Sequence, residues 1–351
     1  MSTTGQPNLL EVTDLRVHFP ITRGVLFARR IGAIRAVDGV SFTIRAGETL
    51  GLVGESGSGK TTTGRAVIGL ITPTEGRIVL EGRDLATLPR ADRKGARRKA
   101  QMIFQNPYAS LNPRMTIANI VADPLRVHGI GTDRQRRERV REVLSLVGLD
   151  PKLGNRYPHQ FSGGQRQRVG IARALAVAPS LIVCDEPVAA LDVSIQAQII
   201  NLLVDLRTSL GLAYLFIGHD LAIVRHIADR VAVMYLGRFM EVADRDSIYM
   251  KAAHPYTRAL LAAVHVPDPR LERQRVSAPL TGEIPSPETP PAGCRFSTRC
   301  PLRERLGRPQ RCVDEEPQLR EVGPGQQVAC HFTEQIDIVD QGSMAVSGTA
   351  A

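Results

Sequence analysis

The stretch VGESGSGKTTTG, Val53 to Gly64, decides how this chain reads. Within it Gly54-Glu55-Ser56-Gly57-Ser58-Gly59-Lys60-Thr61 fits G-x-x-x-x-G-K-[ST] at every position. Glycines let a backbone close around a phosphate until successive N–H groups point inward, and a following helix adds its positive end. In such a loop Lys60 reaches the β- and γ-phosphates as a point charge and the Thr61 hydroxyl coordinates Mg²⁺, with Thr62 opening the helix behind. Thr49 to Val53 reads as a short buried strand and Thr62 to Leu70 as that helix. The motif therefore has the strand–loop–helix context it needs, and a nucleotide is the ligand it implies.

Composition narrows the surroundings of this site. A chain of 351 residues, 43% hydrophobic, makes one large domain or two. A net charge of +10 would suit an acidic partner such as nucleic acid or an anionic membrane face. Much of that charge lies in Arg90 to Lys99 and Arg134 to Arg141, which read equally well as solvated helix faces. Aromatic residues make up 4% and Trp is absent, which argues against a single-strand nucleic-acid reader built on stacking. No apolar run approaches the roughly 18 residues of a membrane span, and the first residues lack the pattern of a signal peptide. The expected location is cytoplasmic, with any span supplied by a partner. Five cysteines in such a chain are not expected to form a disulfide framework.

Ahead of the loop, Leu9 to Phe19 reads as a strand stopped by Pro20, and Val40 to Ile44 as a second, which predicts an antiparallel β element. Arg77 to Leu80 resumes as a strand. The run Met102 to Pro107 places Gln105 where a strand gives out, the usual position of ligand residues in an open α/β sheet. Ala109 to Pro158 reads as a mostly helical insertion. Thr132 and Gln135 suggest a capping box there, and Val140, Val143, Leu144 and Val147 keep helical spacing. Ser162-Gly163-Gly164-Gln165 opens a helix through Ala178, either as a capped start or as a second phosphate-binding surface. Ser180 to Pro187 is an apolar strand ending in Asp185, placed to hold Mg²⁺, and Glu186, placed to polarise the attacking water as general base. Cys184 before them is a small buried hydrophobe. Asp192 precedes a helix to about Leu210, and Tyr214 to Asp220 is a strand that delivers His219 toward a γ-phosphate. The pattern weakens beyond Val231 to Tyr235, and a helix near His254 to Val264 closes the first domain. Pro267 to Pro291 carries seven prolines, the composition of an extended linker over a surface, and the residues from about Gln335 are expected to be loose.

In this order and spacing, the phosphate loop, FSGGQ, CDEP, AALD and GHD resemble the ATP-binding subunits of ABC transporters from about Leu9 to Val264. The resemblance implies ATP and Mg²⁺ as ligands. It makes Gln105 the loop glutamine that senses nucleotide, approaches the metal and contacts the membrane partner. It makes Asp192 a dimer-contact aspartate and His219 the switch histidine, and aligns Phe19 with the aromatic that stacks on adenine. Phe161 stands where the family usually has Leu, and Gly218 where it usually has Ser; neither change removes a catalytic group.

HPYTRALLAAV (His254 to Val264), GEIPSP (Gly282 to Pro287), PPAGCRFSTRCP (Pro290 to Pro301) and VAC (Val328 to Cys330) resemble the C-terminal extension of the oligopeptide and dipeptide importer ATPases. The expected architecture is an α/β ABC-type ATPase domain over residues 8–265, with a helical subdomain at about 109–178. A small cysteine-containing extension follows at 266–335, then a tail at 336–351. The expected partners are two transmembrane permease subunits, a second ATPase subunit and, indirectly, an extracytoplasmic peptide-binding protein. Nickel and glutathione importers share the pattern, and a soluble ATPase acting on nucleic acid or the ribosome is the alternative of a different class. Five, eleven and seventeen residues separate Cys294, Cys300, Cys312 and Cys330, so tertiary folding must assemble any site they form. Four thiolates suit a 4Fe-4S cluster or structural zinc, while reduced cysteines that merely pack need no metal. Some related importers carry such a cluster, which ranks it above zinc.

Overall fold

A computed structural model describes residues 7–23, 29–263 and 282–336. Period-2 alternation in its central strands builds two cores, one on each face of a single sheet. In β7 (Leu181–Asp185) Leu181 and Val183 join one core while Ile182 and Cys184 join the other. The same division runs through β3 (Thr49–Val53), β8 (Ala213–Ile217) and β9 (Arg230–Tyr235). Strands apolar on both faces are what a parallel sheet covered on both sides requires.

The sheet order is β11-β12-β10-β9-β3-β8-β7-β6, with β6 at Ala100–Ile103 and β10 at Arg238–Asp244. The five strands from β9 to β6 pair parallel, and β10, β11 (Arg320–Gly323) and β12 (Gln326–Val328) pair antiparallel on one side. One face is covered by a second sheet of order β2-β1-β4-β5, built from β1 (Asn8–Arg23), β2 (Arg29–Arg45), β4 (Glu75–Leu80) and β5 (Arg83–Asp84). Helix α1 (Lys60–Val67) contributes Ala66 and Val67 to the core between the two sheets.

The antiparallel element is longer than the sequence suggests. Pro20 does not end β1; it pairs with Ala33 of β2 inside the strand. The pairing with β4 stops at Arg16, so a residue lacking an N–H meets no ladder partner on that side. Helix α2 (Arg90–Lys99) and α3 (Pro107–Ser110) flank β6. The insertion then contributes α4 (Ile117–His128) and α5 (Asp133–Leu146), whose Thr132–Gln135 capping box forms as expected. Helix α6 (Gly163–Leu175) stops short of Ala178, which adopts a left-handed φ of 51° before Pro179. A residue preceding proline is pushed out of the helical region. Helix α7 (Val193–Leu210) ends on left-handed Gly211, and α8 (Leu221–Ile227), α9 (Arg245–Lys251) and α10 (Pro255–Ala262) follow.

β10 lies where the sequence pattern fades, and β11–β12 extend the main sheet from the C-terminal segment. Wholly buried Glu241 of β10 accepts hydrogen bonds from the Ala253 and His254 N–H groups and from Gln326 Nε2 of β12, fixing that edge. Residues 267–281 of the proline-rich stretch lie outside the described residues, while the N–H of Arg35 on β2 donates to the Pro287 carbonyl. Gln335 is not loose: it closes a 3-10 turn, and Ile336 beside it is buried. Residues 337–351 lie outside the described residues.

The two basic clusters serve the fold in part. Arg97 and Arg98 donate to the carbonyls of Gly69 and Val177. Arg139 donates to Leu175 and Ala176 and pairs with Glu142, and Arg134 and Arg136 pair with Glu138 and Asp133. Among the described residues, no helix is long and apolar enough to cross a membrane.

Candidate nucleotide site

Four neighbouring parallel strands deliver their residues at their C-terminal ends, where an α/β sheet gathers its ligand groups. β3 runs into Gly54–Gly59, β6 leads to Gln105, β7 ends in Asp185 with Glu186 next, and β8 leads to His219. The glycines are needed where the loop passes other backbone. A Cβ on Gly54 would stand 2.1 Å from the Met234 carbonyl oxygen, and one on Gly59 2.1 Å from that of Ala36. Both also have positive φ, 150° and 107°.

Lys60 is buried under the loop, and its Nζ donates to the Gly54 and Glu55 carbonyls at 2.7 and 2.8 Å and to Ser58 Oγ at 3.3 Å. Burial holds this lysine below its ordinary range, against the opposing charges of Glu186, Asp185 and Glu55. Ser56 and Gly57 form the exposed crest of the loop, and Thr62 lies in the first turn of α1. Thr61 Oγ1 donates to Asp185 Oδ1 at 2.8 Å, joining two hard oxygen ligands expected of a Mg²⁺ site. Burial raises the Asp185 pKa, opposed by the Thr61 hydrogen bond and the Arg65 charge.

Glu186 adopts a φ of 46°, uncommon for a residue with a side chain and often found at functional sites. Its Oε2 accepts from Gln105 Nε2 at 2.8 Å and lies 3.4 Å from His219 Nδ1. The three residues expected around the γ-phosphate are thus brought together, beside a cavity of about 70 Å³ lined by Glu186, Gln196 and His219. Gln105, also expected at the metal, donates from its amide Nε2 to Glu186.

Ser162, Gly163, Gly164 and Gln165 start α6. Ser162 Oγ accepts from the Gln165 N–H, and Gln165 Oε1 from the Ser162 N–H. Gly163 lies near Leu191, just before α7, and Gly164 near Ile195 in its first turn. Asp192 is the exposed N-cap of α7 and makes no side-chain capping bond. Phe19 is a half-exposed ring on β1. Two further residues reach the loop that sequence reading does not single out: Tyr256 accepts from the Glu55 N–H, and Arg299 pairs with the Glu55 carboxylate.

Folding brings Cys294 against Cys312 although chain spacing separates them. Cys294 donates its N–H to the Cys312 carbonyl, and Cys300, Cys312 and Cys330 all act electrostatically on Cys294. Burial first, then the neighbouring sulfurs, pushes the Cys294 thiol up to about 12 and Cys330 to about 11. Among the described residues, no three His, Cys, Asp or Glu side chains are disposed to hold a single metal ion.

The sequence pattern of the ABC transporter family matches residues 37–189, and that of the oligopeptide/dipeptide transporter C-terminal region matches residues 240–305. The oligopeptide transport ATP-binding protein AppF of Bacillus subtilis (strain 168) is 51% identical over 333 residues, covering 95% of this chain and 99% of its own. The chain belongs to the ABC transporter family. As a member of it, this protein binds and hydrolyses ATP. Solved relatives agree in fold. The ABC transporter component cbiO1 of Clostridium perfringens gives a TM-score of 0.60 at 26% identity, over 69% of this chain and 90% of its own. The cassette MJ0796, in a dimeric post-hydrolysis state with ADP and Pi, gives 0.58 at 28%, over 67% and 98%.

Proposed function

We propose that this ABC protein is the ATP-hydrolysing subunit of an importer for oligopeptides or dipeptides, working at the cytoplasmic face of the cell membrane. The observation that carries this reading is one chain holding both a complete phosphate-loop constellation and a C-terminal region matching the oligopeptide/dipeptide transporter pattern. The name of AppF supports the same substrate class over nearly its whole length.

In this reading N–H groups of the Gly54–Gly59 loop other than those of Glu55 and Ser58, which donate to Tyr256 Oη and to the Glu55 carbonyl, join the Lys60 ammonium in holding the phosphates. Thr61 and Asp185 would hold Mg²⁺, which when bound neutralises phosphate oxygens. Glu186 takes the proton from the attacking water, and Gln105 and His219 orient its carboxylate and register the γ-phosphate. Phe19 offers its ring to adenine. Ser162, Gly163 and Gly164 of one subunit close on the γ-phosphate held by another, with Asp192 at the contact between them. Two permease subunits supply the membrane span, and an extracytoplasmic binding protein delivers the peptide. No nucleic-acid partner is needed, since several residues of the basic clusters are engaged within the fold. Labelled peptide uptake should require both the permease and an intact Lys60; uptake unchanged in Lys60→Ala cells that contain no other copy would overturn the assignment.

The same reading gives Cys294, Cys300, Cys312 and Cys330 one metal centre, a 4Fe-4S cluster in preference to zinc. Zinc takes all four sulfurs at about 2.3 Å from one point. A cluster offers each thiolate its own iron, so its sulfurs stand further apart. The thiols must lose protons to ligate, so loading should weaken as pH falls. Anaerobically purified protein is expected to be brown, with broad visible absorption that Cys300→Ser bleaches. Colourless protein with one zinc per chain would select zinc, and metal-free folded protein would remove the site.

A further inference from the structure

The loop carries an acid where its ligand brings negative charge. Glu55 is the second residue of the phosphate loop, and like charges at close range repel strongly where water is partly excluded. Arg299 answers that charge. Its Nη1 donates to Glu55 Oε2 at 2.7 Å and its Nη2 to Oε1 at 3.2 Å, a two-point fork that fixes orientation as well as charge. The guanidinium side chain is only 7% exposed and the carboxylate 22%, so bulk salt does little to replace the pairing.

Glu55 is also held along its backbone. Its N–H donates to Tyr256 Oη at 2.9 Å, and its carbonyl accepts from Lys60 Nζ at 2.8 Å. The segment bearing Arg299 is itself anchored. Phe296 is fully buried, with its ring centroid 5.4 Å from Tyr235 and 5.2 Å from Tyr256. Arg295 pairs with buried Asp38 of β2. Ala36, two residues earlier, places its carbonyl where a side chain on Gly59 would stand. One short segment, Arg295 to Arg299, therefore holds Glu55 directly and is tied through Asp38 to β2, whose Ala36 lies against Gly59.

We propose that Arg299 is a positioning residue for ATP: by orienting and neutralising Glu55 it sets how tightly the phosphate loop holds the nucleotide. This goes beyond the transport reading and rests only on the loop's being an ATP site. The alternative is that the ion pair merely pins the C-terminal segment to the fold. The two part company when the charge of Glu55 is removed without changing its shape.

The test titrates the full chain with MgATP and measures KM and kcat for hydrolysis, with melting temperature recorded for every variant. Arg299→Ala leaves Glu55 uncompensated beside the phosphates, and ATP affinity is expected to fall about tenfold, equivalent to about 1.4 kcal/mol. The change should appear in KM and much less in kcat. Adding Glu55→Gln to Arg299→Ala should restore most of the affinity, because the amide keeps the shape and lacks the charge. Arg299→Lys, which keeps one contact and the charge, should fall between and provides the reading if Arg299→Ala folds poorly. Glu304→Ala, which removes an exposed pair with Arg308 in the same segment, should leave KM unchanged. Unaltered affinity in the Arg299 variants, or no recovery with Glu55→Gln, overturns the proposal. Failure of the wild-type chain to bind MgATP would instead remove the ATP reading on which it stands.

Discussion

Glu186→Gln is expected to lower ATP turnover by about 10²- to 10⁴-fold, the usual contribution of a positioned general base, while nucleotide binding persists. The carboxylate stands between Gln105 and His219, so a glutamine there still presents an oxygen to Gln105 Nε2. What it loses is the capacity to take a proton. The left-handed φ of 46° burdens glutamine no more than glutamate, so the fold should be unaffected. Lys60→Ala makes the contrasting case. Its ammonium, buried among loop carbonyls, is the proposed cation for the phosphates, and its loss should appear as weakened binding. Steady-state hydrolysis and equilibrium nucleotide titration, run on both variants, separate the two roles. Wild-type turnover in Glu186→Gln would remove Glu186 from the proposed base role.

The nucleotide site was legible because its chemistry is written at strand ends. Each of β3, β6, β7 and β8 is short and mostly apolar, and a polar residue follows within two positions of its end, where the parallel sheet aligns it with the others. Local sequence sufficed to place Thr61, Gln105, Asp185, Glu186 and His219 on one rim. It did not suffice where an element depends on distant pairing. β1 continues through Pro20 because β2 supplies the partner on the only side that needs one. β10 and β12 are fixed through buried Glu241, an acid that local patterning assigns to the surface. The Arg299–Glu55 pair joins residues 244 apart, and arginine in a cysteine-rich segment gives no hint of a phosphate loop. Spacing also predicted that only tertiary folding could bring the cysteines together, and no spacing contains the sulfur geometry that a metal centre would require.

Ser162→Arg should reduce hydrolysis by about 10²- to 10³-fold, the scale of losing a donor set aimed at developing charge. The start of α6 presents N–H groups and a positive helix end to an anion. Yet in its own chain the side chains of Ser162 and Gln165 satisfy one another, and the adjoining glycines lie near Leu191 and Ile195. In the proposed arrangement the phosphate for this surface is held by a second ATPase subunit, so a lesion here is expected to damage the partner's site. Lys60→Ala damages the site of the chain that carries it. Where the chain pairs with itself, a mixed dimer places both lesions in one composite site and leaves the other intact. Mixing the two inactive preparations should therefore recover hydrolysis well above either parent, in proportion to the mixed dimer measured by light scattering or cross-linking. Where the partner is a related ATPase, Ser162→Arg should silence the partner's site while Lys60→Ala silences this chain's own. Full turnover by a strictly monomeric preparation would contradict the composite arrangement.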